Sequence, residues 1–122
     1  MTVRNRALGQ LGERLAEEHL SRLGAQLLAR NYRIDYAEVD LLMEHEGDLV
    51  AVEVKTRAPQ DLAQPEEEIR WGQLQRIVRG LTTYAVDNDL MEQPWRIDVI
   101  AIEINPDGSV LRLDHYRSVY PT

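Results

Sequence analysis

Hydrophobic and polar positions follow two periods along the chain, one typical of helices and one typical of strands. Leucine and alanine recur at three- and four-residue intervals over residues 4–23, which predicts an amphipathic helix. Gly24 follows at the position where a helix end favours a left-handed residue. A second helical pattern begins at Glu66 and ends in the polar run at 87–89. The chain therefore contains two predicted helices.

Five shorter segments have the alternation or the apolar composition of strands. They are residues 25–35, 38–44, 49–57, 96–104 and 110–116. Glycine-containing turns at 45–48 and 105–108 separate two pairs of them. The order αβββαββ predicts an α/β (α+β) fold with a mixed central sheet flanked by helices. The 122 residues are enough for one domain, 1–122, with its own core.

Composition narrows the classes of function. Cysteine is absent, which excludes disulfides and thiolate metal sites, and no apolar run reaches the roughly 20 residues that span a membrane. A cytoplasmic protein without membrane contact is predicted. The net charge is −7, which opposes non-specific DNA binding. It is unevenly spread: residues 1–33 carry six arginines against three acids, whereas residues 34–69 carry eleven acids against two bases.

The turn at 45–48 predicts which acidic residues face each other. A two-residue turn and a four-residue loop give the same register, which places Asp40 opposite Glu53 and Glu38 opposite Lys55. Like charges directly opposed in an antiparallel pair destabilise the sheet. A divalent cation such as Mg²⁺, which prefers oxygen ligands, would offset that repulsion. An odd-length turn would shift the register and remove the pair.

Lys55 is the only lysine among fourteen cationic residues. A carboxylate pair that holds a divalent metal beside a lysine is typical of phosphodiester cleavage, where the metal polarises the phosphoryl oxygen and the ammonium stabilises developing charge. The alternative is an ion pair of Glu53 or Glu38 with Lys55 on an exposed sheet face, which contributes little. The lone lysine, its apolar strand and the surplus negative charge favour the metal site. The histidines at 19, 45 and 115 show no metal-ligand spacing.

Five motifs, in this order, resemble those of a known family. They are Gly9-x-x-Gly12-Glu13, Arg30-Asn31-Tyr32-Arg33, Glu38-Val39-Asp40-Leu41, Val52-Glu53-Val54-Lys55-Thr56-Arg57 and Arg96-Ile97-Asp98-Val99. The chain resembles, over nearly its whole length, the YraN-like family of small bacterial proteins. It also resembles the restriction-endonuclease-like nuclease superfamily, with its D…E-x-K core, and in particular the Holliday-junction-resolvase-type members.

The resemblance implies roles for individual residues. Asp40 and Glu53 would be ligands of Mg²⁺ or Mn²⁺, and Lys55 would be the catalytic lysine. Glu13 would match the first-helix glutamate that resolvase-type members bring to the metal, directly or through water. An ordinary surface glutamate on an amphipathic helix is an equal alternative for Glu13. Gly9 and Gly12, on one flank of that helix, predict close packing against a neighbouring backbone.

One position departs from the family pattern. Gln73 stands where relatives usually carry a lysine in the second helix. A glutamine there can still contribute to the active site but supplies no cation, and Gln73 is a candidate nucleic-acid contact. Arg57, Arg70 and Arg76 are the other candidates, and the alternative for Arg70 and Arg76 is that they solubilise the helix. The resemblance implies a metal-dependent nuclease acting on DNA, with branched or structured DNA as the expected substrate and a homodimer by analogy with resolvases. A nucleic-acid-binding module of the same fold with little catalysis, or a protein-interaction role, stays open.

Overall fold

The computed structural model describes residues 3–34, 37–60 and 71–119 as two helices and one five-stranded sheet. The elements are α1 (Val3–Arg22), β1 (Gln26–Ile34), β2 (Ala37–His45), β3 (Asp48–Arg57), α2 (Trp71–Asp87), β4 (Trp95–Ile104) and β5 (Val110–Tyr116). The predicted α+β class and the order αβββαββ are confirmed, and the described boundaries differ from the predicted ones by no more than one residue. Asp35 and the predicted start of the second helix, residues 66–70, lie outside the described residues.

The strands are ordered β1-β2-β3-β4-β5 in a single mixed sheet. Every neighbouring pair is antiparallel except β3 and β4, which run parallel. Parallel neighbours need a crossover connection, and α2 lies in that connection. This connection begins after Arg57, where β3 ends, and it includes α2, whose described part begins at Trp71.

The two helices cover opposite faces of the sheet. Ala16 and Leu20 of α1 pack with Val50 and Val52 of β3. The residues of β3 that alternate with these two valines, Leu49 and Ala51, pack instead on α2 through Leu74, Ile77 and Leu81. Since alternate residues of a strand point to opposite faces, β3 is buried on both sides. Its acidic and basic positions therefore lie in a mostly apolar setting.

A close approach of α1 to β3 depends on one glycine. A Cβ atom added to Gly12 would lie 2.1 Å from Oγ1 of Thr56 and 3.1 Å from its Cβ. Gly9, by contrast, has no atom within 4 Å of such a position. Of the two glycines predicted to permit close packing, only Gly12 does so. The missing side chain of Gly12 lets α1 approach the segment of β3 that carries Lys55.

The turn between β2 and β3 has the predicted two-residue form. Glu46 and Gly47 both adopt positive φ, 53° and 83°, as a type I′ hairpin turn requires. His45 pairs with Asp48, and the register continues in step to Leu41 opposite Val52. The predicted register is confirmed over these five pairs, whereas the predicted pairs of Asp40 with Glu53 and of Glu38 with Lys55 lie beyond the last paired position. In the part of the chain that the structure describes, no helix is long and apolar enough to cross a membrane.

Candidate functional site

Asp40 and Glu53 lie at the point where the β2–β3 pairing ends. Leu41 and Val52 form the last paired position, and Asp40 and Glu53 are the next residues along each strand. Both side chains line a cavity of about 280 Å³ on the α2 side of the sheet. The other lining residues are Glu38, Gln73, Arg76 and Ile77. The hairpin and α2 thus bring the predicted carboxylate pair into one cavity.

Hydrogen bonds hold both carboxylates in place. The backbone N–H of Val54 donates to Oδ2 of Asp40 over 2.8 Å. Nε2 of Gln73 donates to Oε1 of Glu53 over 2.7 Å, so α2 reaches the site through an uncharged side chain. Nζ of Lys55 lies 3.6 Å from the same Glu53 oxygen. Asp40, Glu53 and Lys55, separated along the chain, are neighbours in space.

The electrostatics of the pair are unfavourable for two negative charges. Burial, and next the charge of Glu53, raise the pKa of Asp40 to about 8, against the opposing effect of the Val54 hydrogen bond. Burial also raises the pKa of Glu53, although Lys55 acts in the other direction. Glu53 is 6% exposed. At neutral pH the two carboxylates therefore favour sharing one proton, which forms a hydrogen bond between them.

The donor set suits a hard divalent ion. Two carboxylates beside a polar cavity can bind Mg²⁺, which commonly takes one or two protein carboxylates and completes its octahedron with water and substrate phosphates. Within residues 3–34, 37–60 and 71–119, no three histidine, aspartate or glutamate side chains form a ready-made ligand group. The remaining ligands would therefore be water or phosphate oxygens rather than a third side chain of those segments.

Glu13 lies close to the pair but is bound elsewhere. Its negative charge is near enough to contribute to the raised pKa of Asp40. Its Oε1 accepts a hydrogen bond from Nδ2 of Asn31 over 3.1 Å. Asn31 has a positive φ of 48°, a backbone conformation that asparagine tolerates better than most residues. Both alternatives for Glu13, an outer ligand and a surface glutamate, remain compatible with this position.

The candidate phosphate contacts are placed unequally. Arg76 lines the cavity and is exposed to solvent. Arg57 ends β3, two residues beyond Lys55. Arg70 lies outside the described residues. Arg33, at the cavity's rim, binds Glu38 through Nη2 over 2.7 Å.

A second buried polar cluster was not predicted from the sequence. The cluster, called the Arg96 network below, consists of His45, Asp48, Arg96, Asp98 and His115 on the α1 side of the sheet. Arg96 donates to Asp98 over 3.1 Å and to Asp48 over 2.9 Å, and its Nη2 lies 2.7 Å from Nδ1 of His45. Nε2 of His115 lies 2.8 Å from Oδ2 of Asp98.

The three histidines, which show no metal-ligand spacing in the sequence, lie in or beside this network. His19 of α1 reaches His115 of β5, with Nε2 and Nδ1 3.2 Å apart. His45 joins the same network at its other end. The one sequence feature that indicated these contacts was the polar pair Arg96 and Asp98 in an otherwise apolar strand. Separation along the chain concealed the partners.

Comparisons with known proteins identify the family. A profile described as "Uncharacterised protein family UPF0102" matches residues 12–102, which include Glu13, Asp40, Glu53 and Lys55. A UPF0102 protein of Roseiflexus castenholzii is 36% identical over 116 residues, 94% of each chain. A UPF0102 protein of Anaeromyxobacter sp. is 36% identical over 115 residues, 94% of this chain and 85% of its own. One of Flavobacterium johnsoniae is 34% identical over 116 residues, 93% of each chain. This chain belongs to the UPF0102 family.

Proposed function

We propose that this protein is a metal-dependent nuclease that hydrolyses phosphodiester bonds in nucleic acid. The observation that carries the proposal is the pair of Glu53, which is buried, and Asp40, which is half-buried. When both are ionised, Lys55 balances their charges only in part. A fold gains no stability from two confined carboxylates, because burial disfavours their charged forms. A divalent ion between them would remove that penalty.

Asp40 and Glu53, which both line the cavity, would hold Mg²⁺ or Mn²⁺. The ion, when bound, polarises the scissile phosphate and lowers the pKa of a coordinated water. Lys55 carries a compact ammonium on a flexible stem, 3.6 Å from Glu53, where it can orient the attacking water and stabilise negative charge that develops on the phosphate. Gln73 donates to the Glu53 carboxylate from α2 and so fixes its orientation.

The cations around the cavity would position the nucleic acid. Arg76 lines the cavity and is exposed, so its guanidinium can bind a phosphate bidentately. Arg57, which follows Lys55 on the same strand face, is the second candidate. We infer DNA, and branched or structured DNA in particular, from the resemblance to resolvase-type nucleases. Steering towards such a substrate would depend on the six arginines of residues 1–33, since the whole chain is acidic.

A nucleic-acid-binding module with little catalysis is the second candidate function. Two observations favour it: Glu13 is bonded to Asn31 rather than to the carboxylate pair, and Gln73 supplies no positive charge in the second helix. Such a module would keep the arginine contacts to phosphate and need no reaction at the pair. Metal-dependent turnover distinguishes the two.

A cleavage assay tests the proposal directly. Purified protein is incubated with branched, duplex and single-stranded DNA and with RNA, in Mg²⁺, in Mn²⁺ and in chelator. Cleavage that needs the metal and prefers the branched substrate is expected. Asp40→Asn should abolish cleavage, and Lys55→Met should lower its rate by about 10²–10³-fold. Both variants should leave nucleic-acid binding, measured at low salt, largely unchanged.

Glu92→Gln is the matched control, since it removes an exposed carboxylate distant from the cavity and should cleave like the wild type. Binding without metal-dependent cleavage on any substrate would support the binding module. The absence of both binding and cleavage would overturn both candidates.

A further inference from the structure

We propose that His19 and His115 form a binding site for a single transition-metal ion of the Zn²⁺ class, separate from the Asp40–Glu53 pair. Nε2 of His19 and Nδ1 of His115 lie 3.2 Å apart. Two nitrogen ligands around a tetrahedral Zn²⁺, at bond lengths of about 2.0–2.1 Å, are separated by roughly 3.3–3.4 Å. The two nitrogens are in hydrogen-bond contact, and an ion that replaced the proton between them would find nearly the spacing that it requires.

The support behind His115 is typical of a zinc ligand. Its other ring nitrogen, Nε2, lies 2.8 Å from Oδ2 of Asp98, a fully buried carboxylate. A carboxylate can only accept, so Nε2 carries the proton and Nδ1 presents its lone pair towards His19. A histidine held by a carboxylate in this way is a common arrangement around protein-bound zinc, because it fixes the ring and strengthens the ligand.

Asp98 is itself held rigidly. Its Oδ1 accepts from the backbone N–H of Ser118 over 3.2 Å and from Nε of Arg96 over 3.1 Å. The ring of His115 is 10% exposed, so its orientation is set by these partners rather than by solvent. A site whose ligand is already oriented loses little conformational entropy when the ion binds.

His19 supplies the second nitrogen from α1. The two rings meet edge to face, with centroids 5.2 Å apart. Water would complete the coordination, since the described residues offer no third side chain. Arg22 opposes a cation, so we expect moderate affinity.

The position of the site suggests a structural effect. His19 and His115 are 96 residues apart in the chain. A metal bridge between them would tie the last turns of α1 to β5, which is an edge strand of the sheet. Cross-linking distant segments restricts the unfolded chain, and metal affinity for the folded state adds directly to stability.

A zinc titration in the presence of excess Mg²⁺ tests the inference without using nuclease activity. One Zn²⁺ per chain should bind, measured by calorimetry. The ¹⁵N resonances of the imidazoles report which rings are involved: Nε2 of His19 and Nδ1 of His115 should shift, while those of His45 stay in place. Zn²⁺ should also raise the midpoint of thermal unfolding.

His19→Gln is the matched variant, because the Gln amide can still donate to Nδ1 of His115 but is a poor zinc ligand. It should fold normally and lose zinc affinity by roughly tenfold or more, since even losing a ligand's supporting partner costs that much. Binding that is unchanged in His19→Gln, or imidazole resonances that do not move at saturation, would overturn the site. In Asp40→Asn the zinc response should persist, so failure of this inference is distinct from failure of the proposed nuclease.

Discussion

Asp98 and Asp40 lie on opposite faces of the same sheet, and their pKa values are shifted in opposite directions. Burial acts to raise the pKa of Asp98, but hydrogen bonds from His115, from the Ser118 N–H and from Arg96 outweigh it and hold that pKa below its ordinary value. Burial and the charge of Glu53 raise the pKa of Asp40 to about 8. The first carboxylate is surrounded by donors, whereas the second faces another acid.

The difference separates a structural cluster from a candidate functional one. In the Arg96 network, each carboxylate has a cationic or N–H partner within hydrogen-bond distance, so the buried charges stabilise one another. At the Asp40–Glu53 pair, Lys55 is 3.6 Å away and Gln73 is neutral. Unbalanced buried charge destabilises a fold and is found mostly at sites that act on a ligand. The following predictions test this contrast, beginning with the largest expected effect.

Removing the central cation of the Arg96 network should destabilise the protein most. Arg96→Met removes the arginine partner of the buried Asp98 and the partly exposed Asp48, which costs about 3–5 kcal/mol of unfolding free energy. Chemical denaturation followed by circular dichroism measures it. Arg33→Met, which removes an exposed ion pair with Glu38, should cost less than about 1 kcal/mol. Similar losses in both variants would show that the network is not structural.

Replacing the lone lysine should affect reaction rate and leave stability nearly unchanged. Lys55→Met is expected to lower metal-dependent cleavage by about 10²–10³-fold, the cost of losing one charge-stabilising donor in a protected site. Lys55→Arg should restore only part of the rate, because a planar guanidinium does not occupy the place of a compact ammonium. Single-turnover kinetics measure both. Full activity in Lys55→Met would show that Lys55 has no role in the cleavage reaction.

Adding a side chain at Gly12, where α1 lies against β3, should lower the free energy of unfolding. In Gly12→Ala the new methyl group would meet Thr56, and side-chain rotation cannot relieve a contact of 3.1 Å to its Cβ. We expect a loss of about 1–3 kcal/mol, typical of an overpacked contact. Gly9→Ala, on the same helix but in open space, should gain roughly 0.5–1 kcal/mol from helix propensity. Equal effects in both would mean that the helix approaches the strand less closely.

Neutralising Asp40 should stabilise the metal-free protein. Because its pKa is raised in the folded state, the folded protein binds that proton more tightly than the unfolded chain. The contribution of Asp40 to stability is therefore present below the ordinary value of 3.8 and is lost as the pH rises to about 8. Unfolding measured across that range should show Asp40→Asn gaining on the wild type, by roughly 1–2 kcal/mol after allowance for partial exposure.

Glu92→Gln, at an exposed carboxylate, is the matched control. Addition of Mg²⁺ should then stabilise the wild type but not Asp40→Asn. If Asp40→Asn were less stable than the wild type at every pH tested, the carboxylate pair would not be destabilising the fold.

Much of the candidate site could be predicted from the sequence because it is assembled from neighbouring elements. The turn at Glu46 and Gly47 has an even number of residues and sets the pairing of β2 with β3, so the positions of Asp40 and Glu53 follow by counting. The alternation of side chains along β3 then places Lys55 on the same face. The contact of Gln73 with Glu53 could not be counted in this way, because no periodic pattern links the positions of α2 to those of the hairpin.

The sequence by itself determined the element order, the hairpin register and the acidic pair, since each depends on local periodicity and on a short turn. Only the tertiary structure decided the Arg96 network, the meeting of His19 with His115 and the hydrogen bond that holds Glu13 to Asn31. These contacts join residues 51, 96 and 18 positions apart. Such contacts depend on how helices pack across the sheet, and packing depends on the shape of the whole core rather than on any periodic pattern.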